Sequence, residues 1–354
     1  MKVVLFSPGL NIGGIERVFI NYANLLSDEG YEVVYLTCHE NGIFENLFSS
    51  KVHLCNLKTN DLKRSIFSIV RFFRKEKPDY IVTANSATII ILLAKWLSIS
   101  RVKIIASHHN YINVDINSII DKKILWKVYN LCHKVIAISD GIYKLLLQNK
   151  VSRNKLVKIN NPVDFDRIRL MSRVKISYYN IPNDYILFVG RLSKVKNIEL
   201  LIRGFSQLPN KGNLNLVILG DGPEYDSLNN LCENLNLDSS VIFGGSVENP
   251  YSYMRKAKIV ALSSESEAYP TVLLESLVLG KTIVSTPTNG AIEILHNGEL
   301  GYISKSFELD DYANILKYSL ENIIDENTLA KRAMDYYSPK KIMTIFEEEI
   351  LSNQ

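Results

Sequence analysis

Short apolar runs alternate along this chain with longer stretches whose apolar positions fall at helical spacing. Residues 2–7 predict a buried strand, and 8–14, PGLNIGG, a glycine-containing loop. Residues 15–27 predict a helix through Val18, Phe19, Tyr22, Leu25 and Leu26, and 31–37 a second strand. This is a βαβ opening with glycines where a backbone can approach a ligand. Strands follow at 51–57, 80–84, 102–106 and 133–138, with helices over 62–76, 87–97 and 118–131 and from the Ser139 cap to 147.

Asn160-Asn161-Pro162 breaks the rhythm, and 164–184 is charged, polar and irregular, which predicts a join between domains. The α/β alternation then restarts. Strands are expected at 185–189, 214–219, 241–244, 258–262 and 282–285, and helices at 198–205, 224–235, 249–257 and 272–279. A further helix is opened by Thr288-Asn289-Gly290-Ala291, and the tail from Pro339 carries Ile342, Ile345, Phe346, Ile350 and Leu351 on one side. The expected organisation is a first domain over 1–163, a linker over 164–184 and a second domain over 185–338. The tail helix, 339–354, returns toward the first.

Composition narrows the class. At 354 residues the chain suits two domains, and 47% apolar with 22% charged residues is ordinary for a globular protein. A net charge of +4 is too small to point to nucleic acid. Cys38, Cys55, Cys132 and Cys232 form no CxxC pair, so a reducing, cytoplasmic setting is expected and a zinc or disulfide framework is not. MKVVLFSPGL reads as a first strand rather than a signal peptide. The apolar window 87–97 is too short to span a bilayer. The helix over 62–76 has a basic side of Lys63, Arg64, Arg71, Arg74 and Lys75, and Lys122, Lys123 and Lys127 add charge on the next but one. That pattern fits either a solvated face or peripheral contact with an anionic membrane.

The candidate chemistry lies in the second half. SSESEAYPTVLLESLVLGK, 263–281, reads as loop and helix start after a buried strand, with Pro270 in the first turn. Unpaired N–H groups and the helix dipole make such an end an anion site. Glu267 and Glu275 frame it, and carboxylates accept hydrogen bonds from sugar hydroxyls. Arg191 and Lys196, at the C-terminal edge of another strand, suit a diphosphate: the guanidinium binds bidentately and the ammonium adds a point charge. His108 and His109 sit just past a strand end, where open α/β sheets bind ligands. GxGxxG is absent near Gly13-Gly14, so the dinucleotide fingerprint is not met. Asp164-Phe165-Asp166 matches a metal-binding DxD pattern, but it follows a proline in the join with no phosphate loop beside it, and no metal is expected.

These pieces together resemble the GT-B glycosyltransferases of family 4. The matching segments are Gly13-Gly14-Ile15-Glu16-Arg17, His109-Asn110, Asn161-Pro162-Val163-Asp164, Phe188-Val189-Gly190-Arg191 with Lys196-Asn197, Leu219-Gly220-Asp221-Gly222-Pro223, and Glu267-Ala268-Tyr269-Pro270 running to Glu275. Ala268 departs from the family pattern, which commonly has glycine there. The resemblance implies two Rossmann-like domains with parallel sheets facing a central cleft. It also implies a metal-independent, retaining hexosyltransferase that uses a nucleotide-sugar co-substrate, with uridine the expected base. On that reading Arg191 and Lys196 neutralise the leaving diphosphate, which Gly13, Gly14 and their helix start approach. Glu275 binds the donor ribose, and Glu267 holds donor sugar hydroxyls near the reacting carbon. His109 contacts the donor sugar, and Gly222, Val247, Tyr269, Pro270, Thr271 and Val272 line the donor. The implied acceptor is a glycan or lipid-linked glycan of cell-surface polysaccharide or lipopolysaccharide synthesis, with specificity in first-domain loops including 111–118. A nucleotide-sugar epimerase or hydrolase, or a non-catalytic two-domain binding protein, remains open at this point.

Overall fold

The computed structural model describes residues 1–9, 13–38, 47–59, 62, 64–111, 122–175, 181–209 and 212–352. Part of the 8–14 loop, Lys63, nearly all of the acceptor loop expected at 111–118 with the start of its helix, and 176–180 of the join lie outside the described residues.

Contacts between Cα atoms divide the chain into one unit of Met1–Val163 with Pro339–Gln354 and a second of Asp164–Ser338. In the first unit, β1 (Lys2–Phe6), β2 (Glu32–Thr37), β3 (His53–Asn56), β4 (Tyr80–Ala84), β5 (Lys103–His108), β6 (Lys134–Ala137) and β7 (Leu156–Lys158) form a seven-stranded sheet. Its order is β3-β2-β1-β4-β5-β6-β7, with every pairing parallel. Val3, Val4, Leu5 and Phe6 are fully buried. A strand covered on both faces reads as an unbroken apolar run, which is why the pattern shows no alternation here. The helix Gly14–Asp28 packs on the C-terminal helix Pro339–Phe346, where the Tyr22 and Phe346 rings lie 5.2 Å apart and Tyr31 Oη donates to Glu347 at 2.9 Å. Ser65–Glu76, Ala87–Ser98 and Lys122–Leu131 pack on one another in succession.

In the second unit, β8 (Tyr185–Val189), β9 (Asn215–Leu219), β10 (Val241–Gly245), β11 (Ile259–Leu262), β12 (Ile283–Ser285) and β13 (Tyr302–Ile303) form a parallel six-stranded sheet of order β10-β9-β8-β11-β12-β13. The sequence direction across a sheet reverses between β1 and β4 in one unit and between β8 and β11 in the other. Ligands of open α/β sheets bind outside the carboxyl ends of strands at such reversals.

One expectation needs correction. The join read as irregular from residue 164 contains a helix, Phe165–Met171. The Asp164 carboxylate caps it, accepting the Arg167 N–H at 2.9 Å. Phe165 and Ile168 are buried, and the helix packs on Tyr251–Lys256 and Thr271–Val278. The first aspartate of the DxD pattern is therefore engaged in a helix cap. Helices Leu309–Glu321 and Glu326–Tyr337 and the short strands β7 and β13 were not expected from the pattern. Among the described residues, no helix is long and apolar enough to cross a membrane.

Candidate active site

In the second unit the site is built from two loops at the C-terminal ends of neighbouring strands. After β8 the chain passes Gly190 and Arg191, makes a tight turn at Lys194–Lys196, and enters the helix Ile198–Ser206. Asn197 stands between turn and helix with φ 45°, and its side-chain oxygen accepts the Leu200 N–H at 3.4 Å. Asparagine is among the few residues that tolerate this left-handed backbone, so the turn and the cap come from one residue. After β11 the loop from Ser263 leads to the helix Thr271–Val278, with Pro270 at its N-cap.

Hydrogen bonds to backbone carbonyls hold these loops in register. Ser263 Oγ donates to the Lys196 carbonyl at 3.0 Å, and the Glu265 N–H to the Val195 carbonyl at 2.9 Å. A third segment clamps from behind: Thr286 Oγ1 donates to the Ser264 carbonyl at 2.5 Å, and the Gly290 N–H to the Glu267 carbonyl at 3.1 Å. A Cβ at Gly290 would lie 2.7 Å from Pro270 Cδ and 2.8 Å from the Ala268 carbonyl carbon, so only glycine lets this helix start close on the loop. Ala268 is not among the residues with positive φ, so the alanine found where the family commonly has glycine brings no backbone strain.

Side chains converge across the two loops. Lys196 Nζ lies 2.5 Å from Glu267 Oε1, and Ser264 Oγ donates to the same oxygen at 2.7 Å. The side chains of Lys196 and Glu267 are 23% and 12% exposed, which leaves the pair open to an incoming ligand. Arg191 is exposed on the same loop as Lys196. Glu275 is 4% exposed and receives Tyr251 Oη at 3.4 Å, giving this buried carboxylate a hydrogen-bonding partner. Tyr269 and Pro270 are buried, while Thr271 and Val272 are half-buried at the helix start. Gly222 belongs to a loop laid on the first: the Leu192 N–H donates to the Asp221 carbonyl at 2.9 Å and the Glu224 N–H to the Leu192 carbonyl at 3.1 Å. A Cβ at Gly222 would collide with the Leu192 carbonyl. Val247 is half-buried after β10, two strands away from β8.

In the first unit, Gly13 caps and Gly14 opens the helix that follows β1. The Glu16 carboxylate lies against Gly13 and accepts Ser7 Oγ at 3.3 Å. Burial raises its pKa above the usual carboxylate value, against the opposing effect of its hydrogen bonds to backbone N–H and the Ser7 hydroxyl. His109, just past β5, is 6% exposed. Its Nε2 shares a hydrogen bond with Ser107 Oγ at 2.8 Å, its N–H donates to Asn85 Oδ1 at 3.2 Å, and its ring meets Phe19 edge-on at 6.0 Å. Burial, with a smaller effect from His108, pushes its pKa down to about 3. The ring is therefore neutral near pH 7. His108 points elsewhere, with Nδ1 at 2.9 Å from Tyr129 Oη and the Trp126 ring edge-on at 5.4 Å.

Two family models match the chain in tandem: glycosyltransferase family 4 over residues 12–167 and glycosyl transferases group 1 over residues 179–336. The chain belongs to the GT-B glycosyltransferases of family 4. Among its relatives, this glycosyltransferase is 29% identical to the Campylobacter jejuni N-acetylgalactosamine-N,N'-diacetylbacillosaminyl-diphospho-undecaprenol 4-alpha-N-acetylgalactosaminyltransferase, over 93% of this chain and 92% of that protein. It is 24% identical to the Staphylococcus aureus capsular polysaccharide biosynthesis glycosyltransferase CapM, over 82% and 79%. The solved structure of Anabaena HepE in complex with UDP-glucose shares its fold with a TM-score of 0.78 at 20% identity, covering 99% of this chain and 98% of that one.

Sequence reasoning passed over three side chains that this glycosyltransferase uses to set the geometry. Ser264 orients Glu267, Ser107 orients His109, and Asn85 holds the His109 backbone from the end of β4. Ser264 and Ser107 each lie within three residues of the group they hold, and a hydroxyl so close in sequence is the one signal that pointed to them. Asn85 lies 24 residues from His109 and left no such signal.

Proposed function

We propose that this glycosyltransferase transfers a hexose with retention from a UDP-linked donor to a lipid-linked glycan, without a metal ion, at the inner face of the cytoplasmic membrane. The observation that carries the reading is the Lys196–Glu267 pair, steadied by Ser264, on the same loops as Arg191. Cleavage of the sugar–phosphate bond builds positive charge on the anomeric carbon and negative charge on the diphosphate. Lys196, held by Glu267, and the helix start at Thr271 are fixed donors for the second charge, with the exposed Arg191 beside them, and fixed donors need no reorganisation as the charge forms. Ser264 and Lys196 both bind Oε1 of Glu267, so Oε2 is the oxygen presented to donor sugar hydroxyls. Glu275 takes the ribose, exchanging the long Tyr251 contact for sugar hydroxyls. The neutral ring of His109, anchored through Nε2, offers its other nitrogen to the donor sugar. Gly14 leaves room for the diphosphate beside Gly13, whose own Cβ side the Glu16 carboxylate fills, and Gly222, Val247, Tyr269, Pro270, Thr271 and Val272 surround the nucleotide.

The acceptor class is supported by relatives whose names specify undecaprenyl-diphosphate glycans, and the uridine base by the UDP-bound HepE structures. The test is a thermal-shift screen of UDP- and GDP-sugars, followed by transfer from the stabilising donor to an undecaprenyl-diphosphate glycan with EDTA present. A ligand that binds only the folded state raises the melting temperature. A UDP-sugar should do so and be consumed only with acceptor, giving an α-linked product from an α-linked donor. Consumption without acceptor would favour the epimerase or hydrolase, and binding without turnover the binding protein.

A further inference from the structure

Glu267 is anchored on several sides. Its carbonyl accepts the Gly290 N–H at 3.1 Å, and its Oε1 accepts both Ser264 Oγ at 2.7 Å and Lys196 Nζ at 2.5 Å. Lys196 is fixed as firmly. Its carbonyl accepts Ser263 Oγ at 3.0 Å, its N–H donates to the Ser193 carbonyl at 2.9 Å, and its stem runs past Gly190, where a Cβ would lie 3.9 Å from Cε. A negative group is thus built into the loops that receive a negative ligand, and it has no room to withdraw.

An ammonium has three N–H bonds, so Lys196 can keep Glu267 and still reach a phosphate oxygen. The carboxylate beside it nevertheless repels that phosphate. Its side chain is only 12% exposed, so water and salt screen the repulsion in part. Among the described residues, the side-chain donors to this carboxylate both go to Oε1, which leaves Oε2 for a ligand. Two ligands meet this arrangement differently. A nucleoside diphosphate ending in a free phosphate carries close to one more negative charge near pH 7 than the same diphosphate esterified to a sugar, because the second ionisation of such a phosphate falls at about pH 6. The esterified ligand also brings hydroxyl donors for Oε2, and the free one brings only charge.

We infer that Glu267, held against Lys196, selects the sugar-bearing nucleoside diphosphate over the free nucleoside diphosphate that transfer leaves behind. When the sugar–phosphate bond breaks, the phosphate oxygen keeps the electron pair and the hydroxyls leave Oε2. Both changes fall on the same fixed carboxylate. The Lys196–Glu267 pair therefore favours release of the spent nucleotide and limits its competition with fresh donor. This selection rests on the transferase reading, which supplies both ligands, and gives the pair a task separate from stabilising the transition state.

Isothermal titration above pH 7 with UDP, the β-methyl ester of UDP and the UDP-sugar picked out by the thermal-shift screen reads the selection. The methyl ester has the charge of the esterified donor but no sugar hydroxyls. Wild type should bind the ester about threefold or more tightly than UDP. Glu267→Gln keeps the side-chain length and drops the charge. It should bind UDP about tenfold more tightly than wild type does, and the advantage of the ester should vanish. Its affinity for the UDP-sugar should not rise with that for UDP, because the amide is a weaker acceptor for sugar hydroxyls. Equal binding of UDP and its ester by wild type, which needs no variant to fold, would overturn the selection and leave the donor site standing. So would a Glu267→Gln protein that binds UDP no more tightly, or that gains equally for UDP and the UDP-sugar. Wild type that binds none of the three ligands would bring down the transferase reading and the selection with it.

Discussion

Lys196 and Glu267 are 71 residues apart in sequence, yet their charged ends meet at 2.5 Å across the loops that follow two neighbouring strands. The pair gives the ammonium a fixed place before any diphosphate arrives. Lys196→Ala should therefore lower turnover by about two or more orders of magnitude, the usual loss for one preorganised donor. The measurement is single-turnover transfer with saturating donor. A rate within a few-fold of wild type would remove Lys196 from the reading.

Gly290 lets one helix start rest on the loop that carries Glu267. A methyl group there meets Pro270 Cδ and the Ala268 carbonyl group at 2.7–2.8 Å, and most of those atoms are backbone or ring. Gly290→Ala should cost about 1–3 kcal/mol, the usual range for overpacking, and should displace Glu267 with its loop. Urea unfolding followed by far-UV circular dichroism measures the first effect, and loss of the donor-induced thermal shift the second. Wild-type values for both would show that the clamp is dispensable.

Strand and helix order was legible because buried parallel strands announce themselves as apolar runs, as Val3 to Phe6 and Ile186 to Phe188 do. The helix Phe165–Met171 was hidden, because its exposed side is charged and only Phe165 and Ile168 are turned inward. Arg191, Lys196, Glu267 and Glu275 could be nominated from charge at strand ends and helix starts. What could not be read was how each is held: the Gly290 clamp reaches the loop from beyond a further strand, and Asn85 reaches His109 from a neighbouring one. Such long-range contacts leave no local periodicity.

The buried histidines set a pH dependence. Burial depresses the pKa of His109 to about 3 and that of His108 to about 4, whereas an unfolded histidine titrates near 6.5. Below 6.5 the unfolded chain takes up protons that the folded unit refuses, so stability is fully present above that pH and declines toward 4. Trp126 fluorescence should report a falling urea midpoint over this window, and His109→Gln should flatten the fall. A midpoint that stays level from pH 7 to 4.5 would show that these imidazoles are not held neutral by burial.

Gly14 separates folding from binding. It opens a helix, it is exposed, and among the described residues a Cβ built on it meets nothing within 4 Å. Replacing a helical glycine by alanine normally stabilises by about 0.5–1 kcal/mol, since glycine loses more backbone entropy on folding. Gly14→Ala should therefore unfold no earlier than wild type in urea. If the donor diphosphate approaches this backbone, the added methyl group takes its place, and the donor Kd should rise about tenfold or more, equivalent to ~1.4 kcal/mol. Isothermal titration with the stabilising UDP-sugar decides between them. An unchanged Kd would mean that the glycine pair only shapes the turn after β1, and the diphosphate contacts would then fall to Arg191, Lys196 and the helix start at Thr271. A lower urea midpoint would mean that the open space beside Gly14 is filled in solution.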